Sequence, residues 1–149
     1  MSLTLILNEV KGIVAAVANV GNVYAYRRAV QTETDFVDLY VTNGKVLAWD
    51  ITRESTASSD RTVQATEERH LVVIRGYMGV SDADATEQTF QDLIEAVRAA
   101  LRSVRNLNGR VIDTTPVQAR TVTAAVIGGV LCHYCELTLD AIEFPLPTT

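Results

Sequence analysis

The chain has 149 residues and a mass of 16.3 kDa, the size of one domain rather than several. Its hydrophobic share of 48% and charged share of 21% are those of a globular protein and exclude a chain disordered throughout. A net charge of -5 and a pI near 5.0 exclude a surface that holds nucleic acid along its whole extent.

At the start of the chain Leu3, Ile6, Val10, Ile13, Val14 and Val17 recur at three- and four-residue steps and predict an amphipathic helix. Ser2 is its expected N-cap, and Asn19-Val20-Gly21-Asn22 its stop. The first residues lack a basic leader region, Asn8 and Glu9 interrupt the apolar run, and nothing approaches the ~20 apolar residues of a membrane helix. The expectation is synthesis in the cytosol with no membrane segment.

A weak strand is predicted over Val23 to Arg27, with Tyr24 and Tyr26 on one face and Arg27-Arg28 at its end. A short helix at Asp35 to Tyr40 would end at the turn signal Thr42-Asn43-Gly44-Lys45. The strand Val46 to Arg53 follows, with Trp49 in its middle and Arg53 four residues on, hence on the same face. Next comes a polar run from Arg53 to Arg69 with almost nothing apolar in it. Such a run cannot offset its own ordering entropy, and connections between strands beyond about 12–15 residues are normally functional or disordered. Residues 53–69 are therefore expected to form an extended flexible arm, mobile in the free subunit and ordered by a neighbour.

A strand from Arg69 to Val80 precedes the strongest helical pattern, in which Phe90, Leu93, Ile94, Val97, Leu101 and Val104 make one stripe. Asp84 and Glu87 have capping-box spacing, and Asn106 to Gly109 gives the stop. The last strand runs from about Val122 to Phe144, with Gly128-Gly129 as a bend that splits it. Its alternation of Leu137 and Leu139 with Glu136, Thr138 and Asp140 predicts a sheet with one wet face. Prolines 145 and 147 punctuate the tail. This order argues for one α+β domain over 1–149: a mainly antiparallel sheet, two principal helices on one face, and a long polar arm between two strands.

Chemistry-bearing patterns are few. Cys132-His133-Tyr134-Cys135 is a lone CxxC inside a strand pattern, where the two thiols point to opposite faces. A zinc site would need a second ligand pair, and the other histidine, His70, stands alone. A redox motif would need a helix N-terminus. Ser55, Ser58 and Ser59 lack a nucleophile elbow, and Gly76-Tyr77-Met78-Gly79 lacks phosphate-loop spacing. The pairs Glu67-Glu68 and Asp82/Asp84 fall where solvation or capping explains them. The expectation is no catalytic, cofactor-binding or metal residue, no cofactor and no enzyme.

Interface chemistry is better represented. Lys11 and Lys45 are the only lysines, and arginine is the cation favoured at interfaces, although a GC-rich genome would leave the same bias. Tyr24, Tyr26, Arg27, Arg28, Trp49 and Arg53 are candidate subunit contacts, with Glu54, Arg61 and Arg69 of the arm. Packing of Tyr24, Tyr26 and Trp49 under the helices is the competing reading.

A short N-terminal helix followed by Val23-Tyr24-Ala25-Tyr26-Arg27-Arg28, Asp35-Phe36-Val37-Asp38-Leu39-Tyr40-Val41, Gly44 to Glu54, and His133 to Leu139 resembles the tail terminator, or tail completion, proteins of long-tailed bacteriophages. The resemblance spans most of the chain and rests on element order and a loose pattern. It implies an α+β virion subunit forming a hexameric ring that caps the tail tube and meets the head-side connector. It carries no catalytic residues, and DNA would pass the channel without specific binding, which suits an acidic protein. A head–tail connector or tail-tube subunit would share this outline. From a different class, a small α+β enzyme or ligand-binding protein with a pocket between sheet and helices is the alternative.

Overall fold

In a computed structural model, residues 3–26, 41–42, 45–62, 65–81, 85–127 and 130–144 are described. The elements are α1 (Leu3–Ala15), β1 (Asn22–Tyr24), β2 (Val41–Thr42), β3 (Lys45–Thr62), β4 (Ala65–Gly79), α2 (Thr86–Arg102), a 3-10 turn (Leu107–Gly109), β5 (Asp113–Thr114), β6 (Gln118–Ile127) and β7 (Val130–Glu143). The sheet runs β1-β3-β4-β7, and β7 carries β5 and β6 in tandem along its far edge. All pairings are antiparallel except β1 with β3, and β2 pairs only with the start of β3. The fold is the α+β single domain with both helices on one sheet face that the hydrophobic periods imply.

Register assigns the two sheet faces. The rung Trp49, Gly76, Cys135 faces the helices, and the next, Asp50, Arg75, Glu136, faces away. Ile51, Val72, Ile74, Leu137 and Leu139 continue the helix side and meet Ile6, Val10 and Val14 of α1 and Phe90, Ile94 and Val97 of α2. Both stripes are the ones the sequence marks. α1 stops where Asn19 and Gly21 take positive φ values of 61° and 88°. Gly21 is required there twice over, because a Cβ would also strike the Leu47 carbonyl.

Trp49 lies at the centre of the core, fully buried. Its indole N–H donates to the Val20 carbonyl at 2.9 Å, and its ring stacks on Phe90 with centroids 6.0 Å apart. The ring lies flat against Gly76, where a Cβ would come within 2.5 Å of it.

The face away from the helices is not wet. Val73, Tyr77, Cys132 and Thr138 are buried on it. Arg120 of β6 reaches Glu54 of β3 at 3.5 Å, although β4 and β7 lie between those strands in the sheet. Both side chains point away from the helices, so the sheet curls around that face into a half-barrel, and period-two alternation alone cannot reveal such closure.

Other expectations are corrected. The run 53–69 is not an unstructured connection: its described residues are strand, paired from Arg53↔Val72 to Thr62↔Ala65, with positions 63–64 outside the described residues. The single strand Val122 to Phe144 is a hairpin, closed at Ile127↔Val130 around Gly128-Gly129, which lie outside the described residues. α2 begins after Ala85, a left-handed N-cap without a side-chain cap bond, so the Asp84–Glu87 capping box is not the device used. Instead Thr86 Oγ1 accepts from the Ser81 N–H at 2.9 Å and folds the preceding loop onto the helix start. The weak strand ends at Tyr24, leaving Tyr26 in the bend beyond it. Ser2, Asp84 and the short helix at Asp35 to Tyr40 lie outside the described residues.

Gly76→Ala should cost about 1–3 kcal/mol, because the methyl group must displace a buried indole. Gly12→Ala, in the exposed middle of α1 where a Cβ meets nothing within 4 Å, should gain about 0.5–1 kcal/mol. Denaturant midpoints of the two variants check both signs; a neutral Gly76→Ala would contradict the ring-on-backbone contact.

Candidate functional site

Beyond Glu68↔Glu143, the last rung that β4 shares with β7, the hairpin β3–β4 continues as a two-stranded ribbon. Backbone ladder bonds hold it, and its polar side chains pair across the rungs. Ser59 faces Glu67 and Asp60 faces Thr66, with Oγ–carboxylate distances of 3.5 and 3.3 Å. Arg61 bonds Glu67 at 2.8 Å, and Arg69 reaches Glu67 at 3.5 Å and Asp140 at 3.6 Å. Register shifts at Arg53/Ser55 and Asp60/Thr62 bend the ribbon. The Arg61 hydrogen bond, helped by the charges of Arg61 and Arg69, holds the Glu67 carboxyl below its ordinary value of 4.5.

The predicted contact residues divide. Arg53, Glu54, Arg61 and Arg69 are exposed along β3 and β4. Arg53 donates to Thr56 Oγ1 at 2.8 Å, and it shares the face of Trp49, as the spacing predicts. Trp49 itself is fully buried, so its place among surface contacts is corrected: it is a core residue. Tyr24 is half-buried opposite Asp50, Tyr26 is 59% exposed, and Arg27 and Arg28 lie outside the described residues.

At the root of the ribbon, on the helix side, His70 joins groups that look unrelated in sequence. Its Nδ1 is 2.8 Å from Thr56 Oγ1, and its Nε2 is 2.8 Å from Glu143 Oε1 and 3.8 Å from Glu68 Oε2. His70 and Glu143 are buried, and Glu68 is half-buried. Sequence reasoning leaves His70 alone; the Glu68-x-His70 alternation was the one available signal, and Glu143 enters only through the β4–β7 register.

The concave face holds a second polar group. Tyr77 donates to Asp50 at 3.1 Å, Arg75 donates to Thr52 at 2.9 Å, and the Tyr77 and Tyr134 rings lie 5.4 Å apart. Burial, then the nearby Glu136 charge, raises the Tyr134 pKa. The CxxC behaves as its strand position requires. Cys135 sits in the helix-side core, Cys132 on the opposite face, and neither forms a disulfide. Burial pushes their thiols up to about 12 and about 11, leaving both protonated and unreactive at neutral pH.

A groove of about 910 Å³ opens between the end of α1, the first half of α2 and the strand ends, lined in part by Val46, Met78, Leu93 and Leu131. Beside it stand the exposed side chains of Leu131 and Val126, direct cross-strand partners with 53% and 69% exposure.

Neither a family model nor a curated protein matches the chain. No helix among the described residues is long and apolar enough to cross a membrane.

The Glu67 cluster gives a pH dependence whose sign follows from the lowered pKa. Its contribution to the ribbon is full above the ordinary carboxyl value of 4.5 and is lost as pH falls through the lower folded value. Protection factors of the ribbon amides, measured against the intrinsic exchange rate at each pH, should therefore fall on acidification below that range, and Glu67→Gln should remove this step. An identical acid step in Glu67→Gln would assign the effect to another group.

Proposed function

We propose that the chain is a tail terminator subunit of a long-tailed bacteriophage, acting as a ring of identical copies that caps the tail tube and meets the head-side connector. The observation that carries the reading is a pair of long hairpins with open outer edges. Among the described residues no strand pairs with β3 beyond Asp50 on its outer side, and none with β6 opposite β7. A head-to-tail ring needs two unlike patches on each copy. The polar ribbon of β3–β4 offers one and the apolar tip of β6–β7, with Val126 and Leu131, offers the other. Open strands add main-chain hydrogen bonds on assembly, and the apolar pair adds area removed from water. The resemblance in element order supports a place in a virion, and an acidic subunit would leave DNA free to slide through the channel. The groove favours one other reading, a small ligand-binding protein, because its volume falls in the range of such sites.

Replacing both Val126 and Leu131 with Arg tests the proposal without touching the core. Each apolar side chain withdrawn from a contact should weaken it by about 1.5–3 kcal/mol, so the double variant should sediment as smaller species at concentrations where the wild type is assembled. An unchanged assembly would place the tip on free surface. A wild type that is monomeric throughout and binds a small molecule in the groove would favour the other reading.

A further inference from the structure

We propose that Glu68, His70 and Glu143 form a binding site for a divalent transition metal of the zinc class. Their ligand atoms lie within 4.8 Å of one another. Donors on one tetrahedral zinc at about 2.0–2.2 Å stand roughly 3.4 Å apart. The distances from His70 Nε2, 2.8 Å to Glu143 and 3.8 Å to Glu68, straddle that spacing. Small rotations of two side chains therefore suffice to close the site.

Three features point to a cation rather than to a hydrogen-bonded cluster alone. Glu68 and Glu143 are direct cross-strand partners, and like charges opposite each other destabilise a sheet unless something positive lies between them. Glu143 is 92% buried by its side-chain exposure of 8%, and its carboxylate faces His70 through Oε1, yet Oε2 has no hydrogen-bond partner among the described residues. A buried carboxylate oxygen in that position calls for a donor or an ion. Finally, His70 Nδ1 and Thr56 Oγ1 lie 2.8 Å apart. In the tautomer that donates Nδ1–H to Thr56, the Nε2 lone pair points at the two carboxylates, the arrangement in which imidazole binds metal.

An imidazole in the set selects zinc-class ions over magnesium or calcium, which take all-oxygen sites. Three protein ligands leave a fourth position for water. The site spans the last rung between β4 and β7, where the ribbon leaves the sheet, so a bound ion would clamp the ribbon root. The competing arrangement is a relay without metal, with Arg53 donating to Thr56, Thr56 to His70 Nδ1, and His70 Nε2–H to Glu143. It leaves Glu143 Oε2 and the Glu68–Glu143 repulsion uncompensated.

The test is titration of the chelator-stripped full chain with zinc chloride by calorimetry near neutral pH, with Co²⁺ as a spectroscopic probe. The expected result is one zinc per chain and a raised melting temperature. With Co²⁺, weak visible bands should appear without the thiolate charge-transfer band that Cys132 or Cys135 would give. Glu68→Gln, half-buried and nearly isosteric, and His70→Gln should each abolish stoichiometric uptake. Thr56→Val should weaken it roughly 10–100-fold while the ligand set stays intact. Circular dichroism of each variant separates lost binding from lost folding, and Glu68→Gln is the variant least able to unfold the chain. Absence of stoichiometric uptake by the wild type, uptake unchanged in a folded Glu68→Gln, or a strong thiolate band would each overturn the site.

Discussion

The fold depends on one indole ring laid against one bare backbone position. Trp49 can lie flat on β4 only because residue 76 has no side chain, and from there it reaches two other parts of the chain. Its N–H holds the Val20 carbonyl, which fixes the loop between α1 and β1. Its face takes the Phe90 ring, which seats α2, and Phe90 in turn stacks on His133 of β7 with centroids 5.8 Å apart. A buried Trp is worth about 3–5 kcal/mol against Ala, a large share of what a domain this size retains. The ring therefore sets the spacing between the helical layer and the sheet.

With that layer in place, the strands are free to be longer than the core needs. β3 and β4 run past the last helix contact, and their surplus length becomes the polar ribbon. The curl of the sheet follows from the same layout. The two helices cover the outer face of the curl, while the other face wraps around Asp50, Arg75, Tyr77 and Tyr134 until Glu54 and Arg120 meet across the opening. That ion pair is half exposed on both sides and worth about 0–1 kcal/mol, so it marks the closure and does not cause it.

Much of this was legible in the chain. Both helices announce themselves because a one-sided core leaves a 3.6-residue stripe, and both stripes are the buried ones. Leu137 and Leu139 betray a strand for the same reason with period two. The ribbon was not legible, because its order rests on backbone pairing and on polar rungs such as Arg61–Glu67, neither of which leaves an apolar pattern. Trp49 is ambiguous in the sequence, since an aromatic in a strand suits an interface as well as a core, and the bare Gly76 on the next strand decides for the core. The His70 cluster was invisible for a topological reason: Glu143 lies far along the chain and becomes its neighbour through the β4–β7 register.

We propose that surfaces left uncovered among the described residues of the single chain are completed by further copies of it. Edges of β3 and β6 that no described strand covers are a liability for a solitary protein and a means of assembly for a subunit. Mass photometry or light scattering on the untreated wild-type chain, followed by electron microscopy of the heaviest species, tests this most directly. The predicted result is a closed ring of identical subunits with a mass many times that of one chain. A single species at monomer mass at every concentration, in the presence and absence of a tail tube, would contradict it.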